Sequence, residues 1–142
     1  MTRVILLPID LFDERSWRRP LDEALALLRA GGGALHVVTV MPDFGVAAVG
    51  QFFERGYEKK ALDHFARQLA DWTAANVPPD VDVRPHVLHG SIYDEILRAA
   101  DRIGADLIVI GAHRPALRDY LLGPNAARVV RHARQSVYVV RE

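Results

Sequence analysis

Residues 106–111 read Asp-Leu-Ile-Val-Ile-Gly, a continuous apolar run of strand length that ends in a glycine. A run that is hydrophobic at every position predicts a strand buried on both faces, as in a parallel sheet covered by helices. Two similar runs precede it, Arg3–Asp10 (RVILLPID) and Ala34–Met41 (ALHVVTVM), and Val137–Val140 closes the chain as a last strand.

Helical periods fill the segments between these strands. Helices are predicted over residues 21–30, 51–76, 91–103 and 124–133. The first ends at three consecutive glycines, which favour helix termination, and the second ends before Pro78. The third begins with Ser-Ile-Tyr-Asp at 91–94, which predicts a capping box.

The weakest strand signal lies over Val81–Leu88 (VDVRPHVL), which contains Pro85. Strands separated by single helices predict a mostly parallel sheet with helices on both faces. The doubly wound order for five strands is 3-2-1-4-5, and it makes the third strand an edge, where a proline is tolerated. We therefore predict one α/β domain over residues 1–142, with a doubly wound five-stranded parallel sheet.

Composition excludes several classes of protein. Of the 142 residues, 50% are hydrophobic, 18 basic residues balance 18 acidic ones, and cysteine is absent. These values argue against disorder, disulfides and thiolate metal sites, and the zero net charge argues against nucleic-acid coating. No run is long enough to span a bilayer and no secretory signal begins the chain, so we expect a cytoplasmic protein without membrane contact.

The fold predicts where a ligand would bind. In a doubly wound sheet the site lies beyond the carboxyl ends of the strands, where the winding reverses between strands one and four. Pro8, Ile9 and Asp10 follow strand one, and the segment 111–114 follows strand four. The connection returns at Gly123 before a helix, whose free N–H groups favour an anion such as a phosphate.

Several segments together resemble the universal stress protein family. They are Gly-Ala-Asp-Leu-Ile-Val-Ile-Gly at 104–111, Leu-Leu-Gly at 121–123, Val-Val-Arg-His-Ala at 129–133 and the last strand to Arg141. The likeness covers the whole chain and is greatest for short, single-domain bacterial members. It implies a Rossmann-like fold of the adenine nucleotide alpha hydrolase type.

Many members of that family bind ATP through Gly, two residues, Gly, nine residues, Gly and then Ser or Thr. This sequence keeps Gly111 and Gly123 but has Arg114 at the second glycine, a spacer one residue shorter, and Pro124 at the Ser or Thr. Pro124 lacks a hydroxyl and a backbone N–H, whereas a guanidinium at Arg114 pairs well with phosphate. A proline in the first helical turn also leaves the N–H groups from Asn125 onward free.

The resemblance implies a role for each site residue. Those expected near the adenine and ribose are Pro8, Ile9, Asp10, Val40, Gly90 and Ile110. Those expected near the phosphates are Gly111, His113, Arg114, Gly123, Pro124, Asn125 and Ala126. The implied ligand is ATP, or AMP or ADP, with Mg²⁺ as a candidate companion, and the implied assembly is a homodimer through residues 136–141.

Three functional hypotheses remain open at this stage. The first is a regulatory module of the stress response that binds an adenine nucleotide, and the second is an interaction module of the same fold that has lost its nucleotide site. The third is a weak ATP-hydrolysing or nucleotide-transferring enzyme, for which His113 is the best candidate base; we expect no enzyme. Walker A and GxGxxG motifs are absent, and His86 and His89 face opposite ways on a strand, which argues against a metal site.

Overall fold

The computed structural model describes residues 3–42, 55–112 and 123–141. Strands and helices alternate along these residues, beginning with a strand. The strands are β1 (Arg3–Pro8), β2 (Gly33–Pro42), β3 (Asp82–Gly90), β4 (Leu107–Gly111) and β5 (Ser136–Val140). The helices are α1 (Arg18–Gly31), α2 (Arg55–Asn76), α3 (Ile92–Ile103) and α4 (Pro124–His132), and a short 3-10 turn (Glu14–Ser16) precedes α1.

The five strands form one parallel sheet in the order β3-β2-β1-β4-β5. The predicted doubly wound topology is therefore confirmed. Pro85 lies opposite Val37 on β3, which is an edge strand, so its missing N–H leaves no central ladder bond unmade.

The central strand β1 explains the unbroken apolar run near the start of the chain. Ile5, Leu6 and Leu7 have no exposed surface. Ile5 and Leu7 pack with α1 and α2 on one face of the sheet, and Leu6 packs with α3 and α4 on the other. A strand with a hydrophobic layer on each side cannot alternate between apolar and polar residues.

Of two predictions about helix ends, one is confirmed and one is wrong. The glycine run works as expected, because Gly32 caps α1 with φ 72° and Gly33 starts β2 with φ 134°. A Cβ atom at Gly33 would lie 2.0 Å from the backbone oxygen of Arg3, so this position also requires glycine sterically. The predicted capping box at α3 is wrong: Ser91 is the N-cap residue, but its hydroxyl makes no capping hydrogen bond.

A pair of histidines lies on β2 and β3, on the face of the sheet that α3 covers. His36 is 8% exposed, its ring stacks on that of His86 at an interplanar angle of 7°, and Nδ1 of His36 lies 2.8 Å from Nε2 of His86. Burial, His86 and Arg84 lower the pKa of His36 below the ordinary 6.5, against a smaller opposing effect of Asp82. Burial, Arg102 and Arg84 lower the pKa of His86.

We expect this pair to make stability depend on pH. Both imidazoles have a lower pKa in the folded chain than in the unfolded one, so the unfolded state binds more protons as the pH falls below 6.5. The free energy of unfolding should be highest above that pH and should fall below it. Urea denaturation between about pH 8 and about pH 5 measures the slope.

Replacing one histidine of the His36–His86 pair with a non-titrating side chain tests whether this pair causes the pH dependence. His86→Gln should make the slope shallower because its amide can still hydrogen-bond to His36 but cannot take up the proton. His64→Gln, a change at an exposed histidine of α2, should leave the slope unchanged. An unaltered slope in His86→Gln would contradict the prediction.

Candidate functional site

A cavity of about 470 Å³ opens at the carboxyl ends of β1, β2 and β4. It lies where the winding of the sheet reverses, and its volume is in the range of roughly 300–1,000 Å³ typical of small-molecule sites. Ten of the thirteen predicted site residues line it: Pro8, Ile9, Asp10, Val40, Ile110, Gly111, Gly123, Pro124, Asn125 and Ala126.

The other three predicted site residues do not line the cavity or cannot be placed. Gly90 is absent from the lining and ends β3 with φ 137°, a left-handed conformation that favours glycine. A Cβ atom at this position would lie 3.3 Å from Cγ of Glu95. His113 and Arg114 lie outside the described residues.

Ser16 holds the connection that carries Asp10. Its Oγ accepts a hydrogen bond from the Asp10 N–H at 2.9 Å and lies 2.7 Å from the backbone oxygen of Asp13, to which it can donate. The Asp10 carboxylate accepts from the N–H of Phe12 at 3.0 Å, which forms a local turn. Asp10 therefore has a structural role in its own loop while it lines the cavity.

Gly111 is a point of close approach between this connection and β4. A Cβ atom there would lie 2.9 Å from the backbone oxygen of Ser16 and 3.2 Å from Cγ of Pro20. Its φ is not positive, so the requirement for glycine is one of space and not of backbone conformation. Because Gly111 has no side chain, the end of β4 packs directly against the backbone of Ser16 in the β1–α1 connection.

The N-terminus of α4 forms a polar part of the cavity wall. Gly123 is the N-cap residue, Pro124 occupies the first turn, and the N–H of Ala127 bonds to the Gly123 oxygen at 2.9 Å. Asn125 and Ala126 therefore have backbone N–H groups without a partner inside the helix, next to the positive end of its dipole. This arrangement suits an anionic group.

Sequence reasoning missed seven residues of the lining, of which five are aromatic or aliphatic and two carry hydroxyl groups. The additional residues are Phe12, Ser16, Val38, Thr39, Phe65, Ile92 and Ile96. Phe65 was recognisable only as part of the apolar face of α2. Phe12 had a weak signal, since it is a large aromatic residue directly before the charged residues 13–15 of the β1–α1 connection.

The described part of the chain offers little to a metal ion. No three His, Asp or Glu side chains come together within residues 3–42, 55–112 and 123–141 in a way that could hold one.

A second cavity of about 430 Å³ lies at the opposite ends of the strands, beside the exposed Asp82–Arg84 ion pair. In the same ranges, no helix combines the length and hydropathy that a bilayer-spanning segment requires.

A doubly wound parallel sheet with a ligand-sized cavity at its switch point defines a Rossmann-like α/β protein. The family model described as the universal stress protein family matches residues 1–141, and the chain belongs to this family. Universal stress protein G of Shigella flexneri is 30% identical over 147 residues, which cover 99% of this chain and 100% of that protein.

Solved structures of related proteins share the fold. The protein MJ0577 has a TM-score of 0.74 and 21% identity, covering all of this chain and 97% of that one. A universal stress protein from Archaeoglobus fulgidus, solved in complex with dAMP, has a TM-score of 0.63 and 21% identity, with 96% of each chain covered. Another, solved in complex with cAMP, has a TM-score of 0.60 and 22% identity, covering 99% of this chain and 97% of that one.

The close contact at Gly111 generates a prediction about stability. Gly111→Ala should lower the free energy of unfolding by about 1–3 kcal/mol, because the added methyl group displaces backbone atoms of the Asp10 connection. Gly31→Ala is the matched control: nothing lies within 4 Å of a Cβ atom there, and alanine in the last turn of α1 should be neutral or stabilising. Equal effects of the two substitutions in urea denaturation would show that the contact is unimportant.

Proposed function

We propose that this universal stress protein is a regulatory module that binds an adenine nucleotide in the switch-point cavity. The observation that carries the proposal is the composition of the cavity, which combines apolar walls from three strand ends with N–H groups at the start of α4 that have no partner inside the helix. An adenine nucleotide has the matching chemistry, a flat aromatic base at one end and an anionic phosphate at the other. The related structures solved with dAMP and cAMP support the same ligand class.

In the proposed complex the two ends of the ligand contact different elements. The base lies against Ile9, Val40 and Ile110, at the ends of β1, β2 and β4. The phosphates lie at α4, where Asn125 and Ala126 donate backbone hydrogen bonds. The roles expected for Gly90, His113 and Arg114 stay predictions, as does the choice between ATP, ADP and AMP and the use of Mg²⁺.

Nucleotide occupancy, rather than a chemical reaction, is the proposed output. The described cavity lining contains one carboxylate, Asp10, whose Oδ1 already accepts a hydrogen bond from its own loop, and no histidine. We propose the cytoplasm as the place of action.

The competing function, an interaction module without a nucleotide, is favoured by Pro124, which removes a hydroxyl and an N–H from the phosphate end.

Asn125→Asp tests nucleotide binding with little change in shape. A carboxylate at this position repels a bound phosphate, so affinity for ATP should fall at least about tenfold at low salt, whereas the charge favours the α4 N-terminus and should preserve folding. Calorimetric titration of the purified, nucleotide-free chain with ATP, ADP and AMP measures the effect, and thermal unfolding checks the fold.

Ala70→Asp is the matched control for net charge, since Ala70 is exposed on α2 and does not line the cavity. It should bind as the unaltered chain does. Absence of nucleotide binding in the unaltered chain, together with no nucleotide released when the purified protein is denatured, would refute the proposal and favour the interaction module.

We also propose a homodimer through β5. β5 is the edge strand beside β4, and Tyr138 is 37% exposed although its hydroxyl donates a hydrogen bond to Glu23 at 3.0 Å. An edge strand with half-buried valines favours pairing with another strand, because its outer side has no neighbour within its own sheet. A second copy of β5 is the proposed partner.

Val139→Lys tests the dimer. A lysine in the middle of β5 introduces like charges where two copies would meet, so the sedimentation mass should fall toward that of one chain while the far-ultraviolet circular dichroism stays the same. Ala70→Lys adds the same side chain on α2 and should leave the mass unaltered. An unaltered dimer in Val139→Lys would place the contact elsewhere.

A further inference from the structure

Two aromatic pairs join the β1–α1 connection to α2. Trp17 and Trp72 meet edge to face with ring centroids 5.2 Å apart, and Phe12 and Phe65 do the same at 5.8 Å. Residues 65 and 72 are seven apart and lie on the same face of α2, so the two contacts repeat each other two helical turns apart.

The two pairs differ in their exposure to solvent. Trp17 and Trp72 are each 8% exposed and belong to the core between the sheet and α1 and α2. Phe12 is 70% exposed, which is the highest value among the large hydrophobic side chains that the structure describes as exposed. The tryptophan pair therefore anchors the connection to α2, and Phe12 contributes little buried area to that anchoring.

The exposed surface of Phe12 borders the cavity. Both Phe12 and Phe65 line it, together with the strand ends against which the proposed base lies. An edge-to-face contact uses at most one face of each ring, so Phe12 keeps a ring face that no residue of the pair covers. A flat apolar ring held at the mouth of a ligand cavity is suited to stacking with another flat ring.

Building on the proposed function, we propose that Phe12, supported by Phe65, is the stacking wall for the nucleobase and makes the site favour purines over pyrimidines. A purine presents two fused rings to the wall and a pyrimidine only one, so the stacking energy gained is larger for adenine than for cytosine. Phe12 thus determines specificity through the base, independently of the phosphate contacts at α4.

Phe12→Leu removes the aromatic ring and keeps an apolar side chain of similar reach. Calorimetric titration should show affinity for ATP about tenfold lower than in the unaltered chain, the loss expected for one stacking contact. The ratio of the affinity for ATP to the affinity for CTP should be smaller in Phe12→Leu than in the unaltered chain. Inorganic tripolyphosphate, which has no base, should bind equally to both proteins.

Phe65→Leu provides a second variant, which removes the ring that supports Phe12 and that also lines the cavity. It should weaken ATP binding less than Phe12→Leu does. It should also reduce the preference for ATP over CTP. Val130→Ala is the matched control, because Val130 is 44% exposed on α4 and does not line the cavity. Its nucleotide affinities should equal those of the unaltered chain.

The outcomes separate this inference from the proposed function. If the unaltered chain binds ATP, and Phe12→Leu binds ATP and CTP each as tightly as the unaltered chain does, the stacking wall is refuted and nucleotide binding stands. If the unaltered chain binds no nucleotide, both are refuted. Equal losses for ATP and tripolyphosphate in Phe12→Leu would also overturn the inference, because they would indicate a disturbed cavity and not a lost stack.

Discussion

The structure depends on the burial of the last four residues of β1, Ile5 to Pro8. This strand pairs with β2 on one side and β4 on the other, and Ile5, Leu6 and Leu7 pack into both hydrophobic layers. Because it is the strand from which the chain winds outward in both directions, its carboxyl end is also where the connections to the two halves diverge. The same strand that organises both cores therefore creates the gap in which the cavity lies.

The cavity keeps its shape because the β1–α1 connection is fixed from three directions. Ser16 bonds to the backbone at Asp10, Gly111 lets β4 approach the backbone of Ser16, and Trp17 packs on α2. The bond of Ser16 is local, whereas the contacts of Gly111 and Trp17 join elements that are far apart in the sequence. A preorganised loop loses less conformational entropy on binding a ligand, which favours affinity for a small molecule.

The cavity is lined by the carboxyl ends of parallel strands and by the N-terminus of α4, and these ends determine its chemistry. Parallel strands end together in apolar residues, and α4 begins there with N–H groups that its own turns cannot satisfy. Pro124 removes one first-turn N–H that no helix residue would have bonded, and the N–H groups of Asn125 and Ala126 remain as donors. The start of α4 therefore keeps backbone donors that suit an anionic group.

The sequence by itself determined the order of the elements and the sheet topology, because buried parallel strands, glycine stops and Pro85 leave local signals. Ten residues of the cavity lining were predicted from the strand-end positions and from the family resemblance. The sequence misassigned the cap at Ser91, whose residue type fits a capping box although its hydroxyl makes no capping bond. Only the tertiary structure brought Phe12 to Phe65 and His36 to His86, contacts between residues 53 and 50 positions apart. Such pairings depend on how helices and strands pack in three dimensions, which periodicity along the chain does not encode.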